Sequence, residues 1–316
     1  MASSIRSRTV CSGALRTFIS SLAQNGGRLS RMNSRLSRHL SSLPQRELIA
    51  DDELGVNLLE GDNSGIAVFS MRRHKTRNAM GRNIMKRFSE GLDAVKFNKA
   101  VRVVIIRSEV PGVFCAGADL KERAQMTNEE VARFVQGLRS SVTELANLPM
   151  PTIAAIDGYA LGGGLEMALG CDMRVASSSA KIGLVETSLA IIPGAGGTQR
   201  LSRVIGPALA KELIFTSRVL DGELAHQYGV VNHCVPQNDA GDAGFQRALQ
   251  LAQEILPQGP IALRMAKFAI NKGIEVDLQS GLKFEEACYA QIVPTKDRIE
   301  GLTAFKEKRK PVYKGE

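Results

Sequence analysis

No tryptophan occurs among the 316 residues, and aromatic residues make up only 5% of them. A surface that stacks nucleic-acid bases on aromatic rings is therefore a poor fit to this chain. The five cysteines, Cys11, Cys115, Cys171, Cys234 and Cys288, form no C-x-x-C pair, so neither a zinc site nor a thioredoxin-type motif is visible. His39, His74, His226 and His233 are too few and too scattered to suggest a metal centre, and none is expected. An apolar run of 18 residues is also missing, which leaves no helical membrane span to be read. Acids are absent from one end of the chain: the first is Glu47.

That last absence explains the charge. The chain carries a formal +9, but residues 1–46 hold eight arginines (Arg6, Arg8, Arg16, Arg28, Arg31, Arg35, Arg38 and Arg46) and no lysine. Subtracting eight from nine leaves one net positive charge on residues 47–316, so the basic balance belongs to the N-terminus and not to the folded body. A serine- and arginine-rich, acid-free stretch with scattered apolar residues has the composition of a mitochondrial transit peptide. Residues 1–46 are read as that leader. The mature protein is expected in the mitochondrial matrix, with reduced, mostly buried thiols.

Downstream the residues alternate between two periodicities. Residues 65–71 (GIAVFSM), 101–107 (VRVVIIR), 152–156 (TIAAI) and 173–176 (MRVA) read as strands, the second apolar enough to be buried on both faces. Between them, Ile84, Met85, Phe88, Leu92 and Val95 recur at helical spacing over 81–97. Residues 127–147 form a second helical region, opened by a capping box of Thr127 and Glu130. Strands alternating with helices predict an α/β fold with largely parallel strands. After about residue 245 only helices are expected, over 245–256, 261–272 and 277–291, with breaks at Pro257 and Gly259-Pro260. The predicted organisation is a leader over 1–46, an α/β core over 53–245 and a helical region over 246–316.

Three turns could carry chemistry. In Cys115-Ala116-Gly117-Ala118-Asp119 small residues let a ligand approach the backbone, and Asp119 can cap the helix that follows. In Gly162-Gly163-Gly164-Leu165-Glu166 a buried strand gives way to a helix, whose first N–H groups lack partners and favour negative charge. Two such turns can offer two backbone donors to one developing oxyanion. Glu166 lies about one helical turn beyond Gly163, and Glu186 follows twenty residues later. Two carboxylates beside an oxyanion site form an acid–base pair, and if they approach each other one can hold a proton while the other accepts one. Gly194-Ala195-Gly196 suggests a nucleotide loop, but the third glycine of G-x-G-x-x-G would fall on Gln199, and no P-loop lysine follows.

Taken together, CAGADLKE, ALGGGLE and VETSLAIIPGAGGTQRL, in this order and spacing, resemble the crotonase (enoyl-CoA hydratase) superfamily over residues 53–316. The resemblance implies a spiral of β-β-α turns with a helical C-terminal trimerisation region, in a trimer or a hexamer of two trimers. It implies an acyl-CoA substrate, no cofactor beyond the coenzyme A that the substrate carries, and addition of water across a conjugated double bond. The favoured substrate is 3-methylglutaconyl-CoA, with other enoyl chains or an isomerase reaction as alternatives. Glu166 and Glu186 match the family's water-activating acids, and Gly194 the glycine that helps place that water. The N–H groups of Ala116 and Gly163 are expected to form the oxyanion hole. Gly117, Ala118 and Asp119 are expected along the ligand path, and Lys75 and Ala79 on the CoA-contacting loop. Lys121 or Arg123 would meet a distal carboxylate. The family loop usually reads Arg-Pro where this chain has Arg73-His74, and the missing proline is expected to loosen that turn.

The resemblance also points to a basic helix, with Arg82, Lys86, Arg87 and Lys96, as a weak RNA-binding face. The same stretch carries Glu90 and Asp93, and phosphate affinity needs several uncompensated cations.

Overall fold

The computed structural model describes residues 43–316; the expected leader lies outside the described residues except for its last four. Of those, Gln45 and Arg46 already belong to strand β1 (Gln45–Ile49), which pairs antiparallel with β2 (Leu54–Leu59). β2 pairs antiparallel with β3 (Ile66–Met71). Helix α1 (Arg82–Lys96) crosses back, and all five apolar residues that set its spacing are buried; Phe88 meets Phe69 of β3 edge-on, with ring centroids 5.7 Å apart.

From here the chain winds as a spiral. β4 (Val103–Ser108) joins β3 in parallel, and β5 (Val113–Cys115) opens a second, smaller sheet. Short α2 (Leu120–Arg123) and long α3 (Asn128–Ala146) return the chain, the latter with its capping box formed. β6 (Thr152–Ile156) extends the large sheet, β7 (Tyr159–Leu161) the small one, and α4 (Gly163–Gly170) returns. The third turn repeats the pattern with β8 (Met173–Ser177) and β9 (Lys181–Gly183), followed by α5 (Gly197–Ile205) and α6 (Pro207–Phe215). Two-residue β10 (Leu220–Asp221), α7 (Gly222–Gln227) and β11 (His233–Val235) close the sheets. Seven strands thus run β1-β2-β3-β4-β6-β8-β11, and four run β10-β9-β7-β5.

The large sheet is buried on both faces. Along β4, Val104 and Ile106 face the cluster that holds α1, α3 and α4, while Val103 and Ile105 face Phe245, Ala248 and Ala252 of α8 (Ala243–Ile255). That alternation explains the unbroken apolar run. The change of character expected near residue 245 falls at the start of α8, and packing joins that helix to the sheet. The helices that project are α9 (Pro260–Gly273), α10 (Leu278–Ile292) and α11 (Lys296–Glu307), the last not anticipated from periodicity. They are tied back by polar groups. Lys267 of α9 donates to the Met150 carbonyl (3.0 Å) and to Asp172 (2.8 Å), and Arg102 donates to the Gln258 carbonyl (2.6 Å).

Candidate active site

β9, β7 and β5 lie side by side and parallel in the small sheet, so the three turns after them line up at one edge. Neighbouring strands are about 4.8 Å apart, which places those turns within a few ångströms of one another. After β5 comes Ala116–Asp119, after β7 Gly162-Gly163, and after β9 the segment leading to Glu186. The carboxyl ends of parallel strands are where α/β folds bind ligands. A cavity of about 510 Å³ opens here, lined by Gly117, Ala118, Gly163, Glu166, Glu186 and Gly194 among others.

The two backbone donors can be identified from their neighbours. The N–H of Ala116 donates to the Arg77 carbonyl at 3.1 Å, so it is not free for a ligand, contrary to the reading from the sequence. Three residues on, the N–H of Asp119 donates to the Met80 carbonyl (3.0 Å), while the N–H of Met80 donates to the Gly117 carbonyl (2.7 Å). Successive peptides of an extended segment point opposite ways, so this bridge turns the intervening Ala118 N–H away from Met80. That N–H has no acceptor among the described residues. Gly163, the first residue of α4, has no intrahelical acceptor for its own N–H. A Cβ built on Gly163 would stand 3.9 Å from the Ala118 nitrogen, and one on Gly117 3.7 Å from the Gly163 nitrogen. Ala118 and Gly163 therefore form the pair of converging, unoccupied donors.

Both glutamates face this cavity, in different environments. Glu166, on the first turn of α4, is 3% exposed. Its Oε1 accepts the N–H of Ala195 and of Gly197, each at 2.7 Å. Burial pushes its carboxyl above the ordinary value, and the Gly197 and Ala195 N–H groups, with the Arg200 charge, act against that rise. Glu186 is half-buried, and its Oε2 is shut from water without a hydrogen-bond partner. Burial, with a smaller contribution from the Glu166 charge, pushes it up to about 7. Gly162 makes room for it: its φ of +52° suits only glycine, and a Cβ there would sit 3.2 Å from Glu186 Oε1.

Other expected residues lie elsewhere. Asp119 does not line the cavity; it caps α2 through the Glu122 N–H (3.2 Å) and faces Arg73 at 3.5 Å. Ala79 is buried, with its carbonyl taken by Arg73, and Lys75 is exposed; neither lines the cavity. The turn before them is not loose. Asn78 accepts the Arg73 N–H (2.8 Å) and donates to Ser108 Oγ (2.7 Å) and the Phe114 carbonyl (2.9 Å), replacing any stiffness a proline would give. Of the two cations considered for a carboxylate, Arg123 lines the cavity and Lys121 does not. The α1 face is largely neutralised: Arg82 pairs with Glu130 (3.1 Å), and Arg87 with Glu90 (2.8 Å) and Asp51 (3.0 Å). It offers RNA no run of free cations.

Comparison with known proteins agrees with this geometry. The enoyl-CoA hydratase/isomerase family model matches residues 61–316. The human mitochondrial methylglutaconyl-CoA hydratase is 62% identical over 270 residues, covering 85% of this chain and 80% of that one. The bovine mitochondrial enoyl-CoA hydratase domain-containing protein 2 is 57% identical over 267 residues, covering 84% and 90%. A crystal structure of enoyl-CoA hydratase from Bacillus anthracis superposes with a TM-score of 0.79 at 45% identity, covering 84% of this chain and all of that one. The chain belongs to the enoyl-CoA hydratase/isomerase family, with the crotonase fold, and is a mitochondrial enoyl-CoA hydratase.

Proposed function

We propose that the chain hydrates a branched, carboxylate-bearing enoyl-CoA, 3-methylglutaconyl-CoA, to 3-hydroxy-3-methylglutaryl-CoA in leucine breakdown, with Glu166 as base and Glu186 as acid. The thioester oxygen lies between the N–H groups of Ala118 and Gly163. The Glu166 carboxylate takes a proton from water as the water oxygen bonds to the β-carbon. The alkene electrons move onto the thioester oxygen, and the two N–H groups stabilise the enolate, each contributing about 3 kcal/mol. The Glu186 carboxylic acid then delivers its proton to the α-carbon. Transfer of the water proton from Glu166 to Glu186 restores both groups. No cofactor enters these steps.

The assignment of acid and base follows from the unequal surroundings. A carboxyl that accepts two backbone N–H bonds beside a guanidinium favours the ionised form. One with an unpartnered, water-excluded oxygen favours the protonated form. The observation that carries the reading is the convergence of two unoccupied N–H groups and two unequally held carboxyls on one cavity. Gly194, whose N–H also faces Glu166, supports placement of the water. Lys75, exposed on the preceding loop, is assigned to the CoA moiety, with Ala79 shaping that loop. Arg123 is assigned to the distal carboxylate, since it has no ion-pair partner among the described residues and lines the cavity. The 62% identity to human methylglutaconyl-CoA hydratase supports that substrate. The apolar faces of the C-terminal helices support assembly into trimers and a hexamer.

Glu166→Gln and Glu186→Gln in folded protein should each lose about 10²–10⁴-fold in hydration rate. Near-wild-type turnover by either removes that residue from the mechanism. Because Glu186 must hold its proton, wild-type turnover should fall above about pH 7. Arg123→Gln should weaken 3-methylglutaconyl-CoA about tenfold in kcat/KM and leave crotonyl-CoA unaffected. Equal losses on both substrates would detach Arg123 from the carboxylate.

A further inference from the structure

The turn that holds Glu166 is itself held from its far side. In the Gly194–Ala195 peptide, the N–H donates to Glu166 while the carbonyl accepts from Arg139 Nε at 2.9 Å. The next carbonyl, that of Ala195, accepts from Arg200 Nη1 at 2.8 Å. Arg200 Nη2 reaches Thr143 Oγ1 of α3 at 3.3 Å, and the Thr143 hydroxyl donates onward to the Arg139 carbonyl at 2.8 Å. Donors on the carbonyl side of a peptide polarise it and strengthen its N–H as a donor.

Arg200 differs from Arg139 in two ways. Arg139 is exposed and lines the cavity, so solvent screens its charge. Arg200 is half-buried behind the turn and has no carboxylate within ion-pair distance among the described residues; the charge that acts on it is that of Glu166. Residue 196 is shaped to admit it. Gly196 has a φ of +106°, and a Cβ there would fall 2.0 Å from Arg200 Nη1. The turn is thus built against the guanidinium, with the Glu166 carboxylate on its opposite side.

We propose that Arg200 is a positioning residue for the hydration: it grips the Ala195 carbonyl, fixes the turn whose N–H groups hold Glu166, and through its charge makes Glu166 the base and leaves the proton to Glu186. The inference rests on the acid–base reading given above. Arg200 does not line the cavity, so its loss should change the ionisation of Glu166 and not the binding of acyl-CoA.

Two substitutions separate charge from grip. Arg200→Gln retains a donor for the Ala195 carbonyl and loses the charge. Its acidic limb of kcat/KM should move up by about one pH unit, with a fall of about tenfold below that limb and KM little changed. Arg200→Lys retains the charge, and its limb should stay at the wild-type position although the rate falls. A folded Arg200→Gln whose rate drops equally at every pH overturns the proposal, as does a limb that moves as far in Arg200→Lys. Should Arg200→Gln fail to fold, Thr143→Val unhooks the guanidinium from α3; a smaller upward shift of the limb is then expected, and an unmoved limb overturns the proposal. Glu166→Gln measured alongside tells the two failures apart. If it hydrates normally, the acid–base reading falls and this inference with it; if it is inactive while the Arg200→Gln limb stays put, only the inference falls.

Discussion

Between residues 43 and 258 most apolar side chains turn inward, and beyond Gly259 most do not. Strand β4 is buried on both faces, and α1 hides every apolar residue that gives it helical spacing. In the C-terminal helices, by contrast, α9 buries only Pro260, α10 only Cys288, and α11 only Asp297 and Ala304. Leu278 is 74% exposed and Phe305 87%, with Ile270 and Tyr289 close behind. Both regions have the composition of ordinary amphipathic protein, so the difference lies in where the matching surface is. The spiral contains its own; the C-terminal helices present theirs outward and stay attached through Lys267 and Arg102. Exposed apolar side chains gathered on three neighbouring helices are the kind of surface that serves association. In this family's terms it is where copies of the chain are proposed to meet.

The contrast predicts where a single methyl group harms the site. A Cβ on Gly164 would lie 2.3 Å from the Cys115 carbonyl oxygen and 3.0 Å from its carbon, both backbone atoms that cannot swing aside. Gly164→Ala should therefore force α4 off β5, lowering stability by about 1–3 kcal/mol in a denaturant titration. It should also separate the Ala118 and Gly163 N–H groups, reducing turnover about 10²-fold or more. Wild-type turnover in this variant would mean that the contact between α4 and β5 does not set the oxyanion geometry.

The same contact marks the limit of what the sequence discloses. The β-branched run at 103–106, the spacing of α1 and the Thr127 capping box are local signals, and each appears where expected. Glu166 and Glu186 are found at one cavity because their motifs fix their distance from strand ends. Which N–H of the CAGAD turn faces the ligand is a question of pairing, set by the bridge between Met80 and Ala118 thirty-eight positions apart. No local pattern distinguishes Ala116 from Ala118, so the donor lies two residues beyond the position the motif suggests. The small sheet is not legible in the sequence for a related reason: β5, β7 and β9 are three residues each, too short to show a period. The role of Arg200 depends on contacts with α3, fifty-seven residues away, and leaves no trace in its own motif.

A second test acts on the outward-facing region. Leu278→Asp combined with Phe305→Asp places two charges on the exposed apolar faces of α10 and α11 without touching a buried side chain. Sedimentation should show the wild type as an oligomer and the double variant reduced to monomer, with its helical circular dichroism retained. A variant that keeps its oligomeric mass would put the assembly surface elsewhere; one that loses its helices would show these faces to be intramolecular.

The smallest effect sharpens the comparison from inside the spiral. Gly137 lies in the middle of α3, has ordinary helical backbone, and a Cβ there would meet nothing within 4 Å. It is exposed, and no function of the turns at the strand ends depends on it. Glycine costs a helix about 1 kcal/mol relative to alanine because its unfolded backbone is freer. Gly137→Ala should therefore raise stability by about 0.5–1 kcal/mol, read as a higher denaturation midpoint at unchanged slope, with turnover unaltered. The same substitution at Gly164 is expected to act in the opposite sense. The sign difference tests whether space around the Cβ, and not glycine content, decides how the spiral tolerates change. A loss of stability at Gly137 would indicate that the outer face of α3 is covered, most simply by a neighbouring subunit, and would extend the association surface beyond the C-terminal helices.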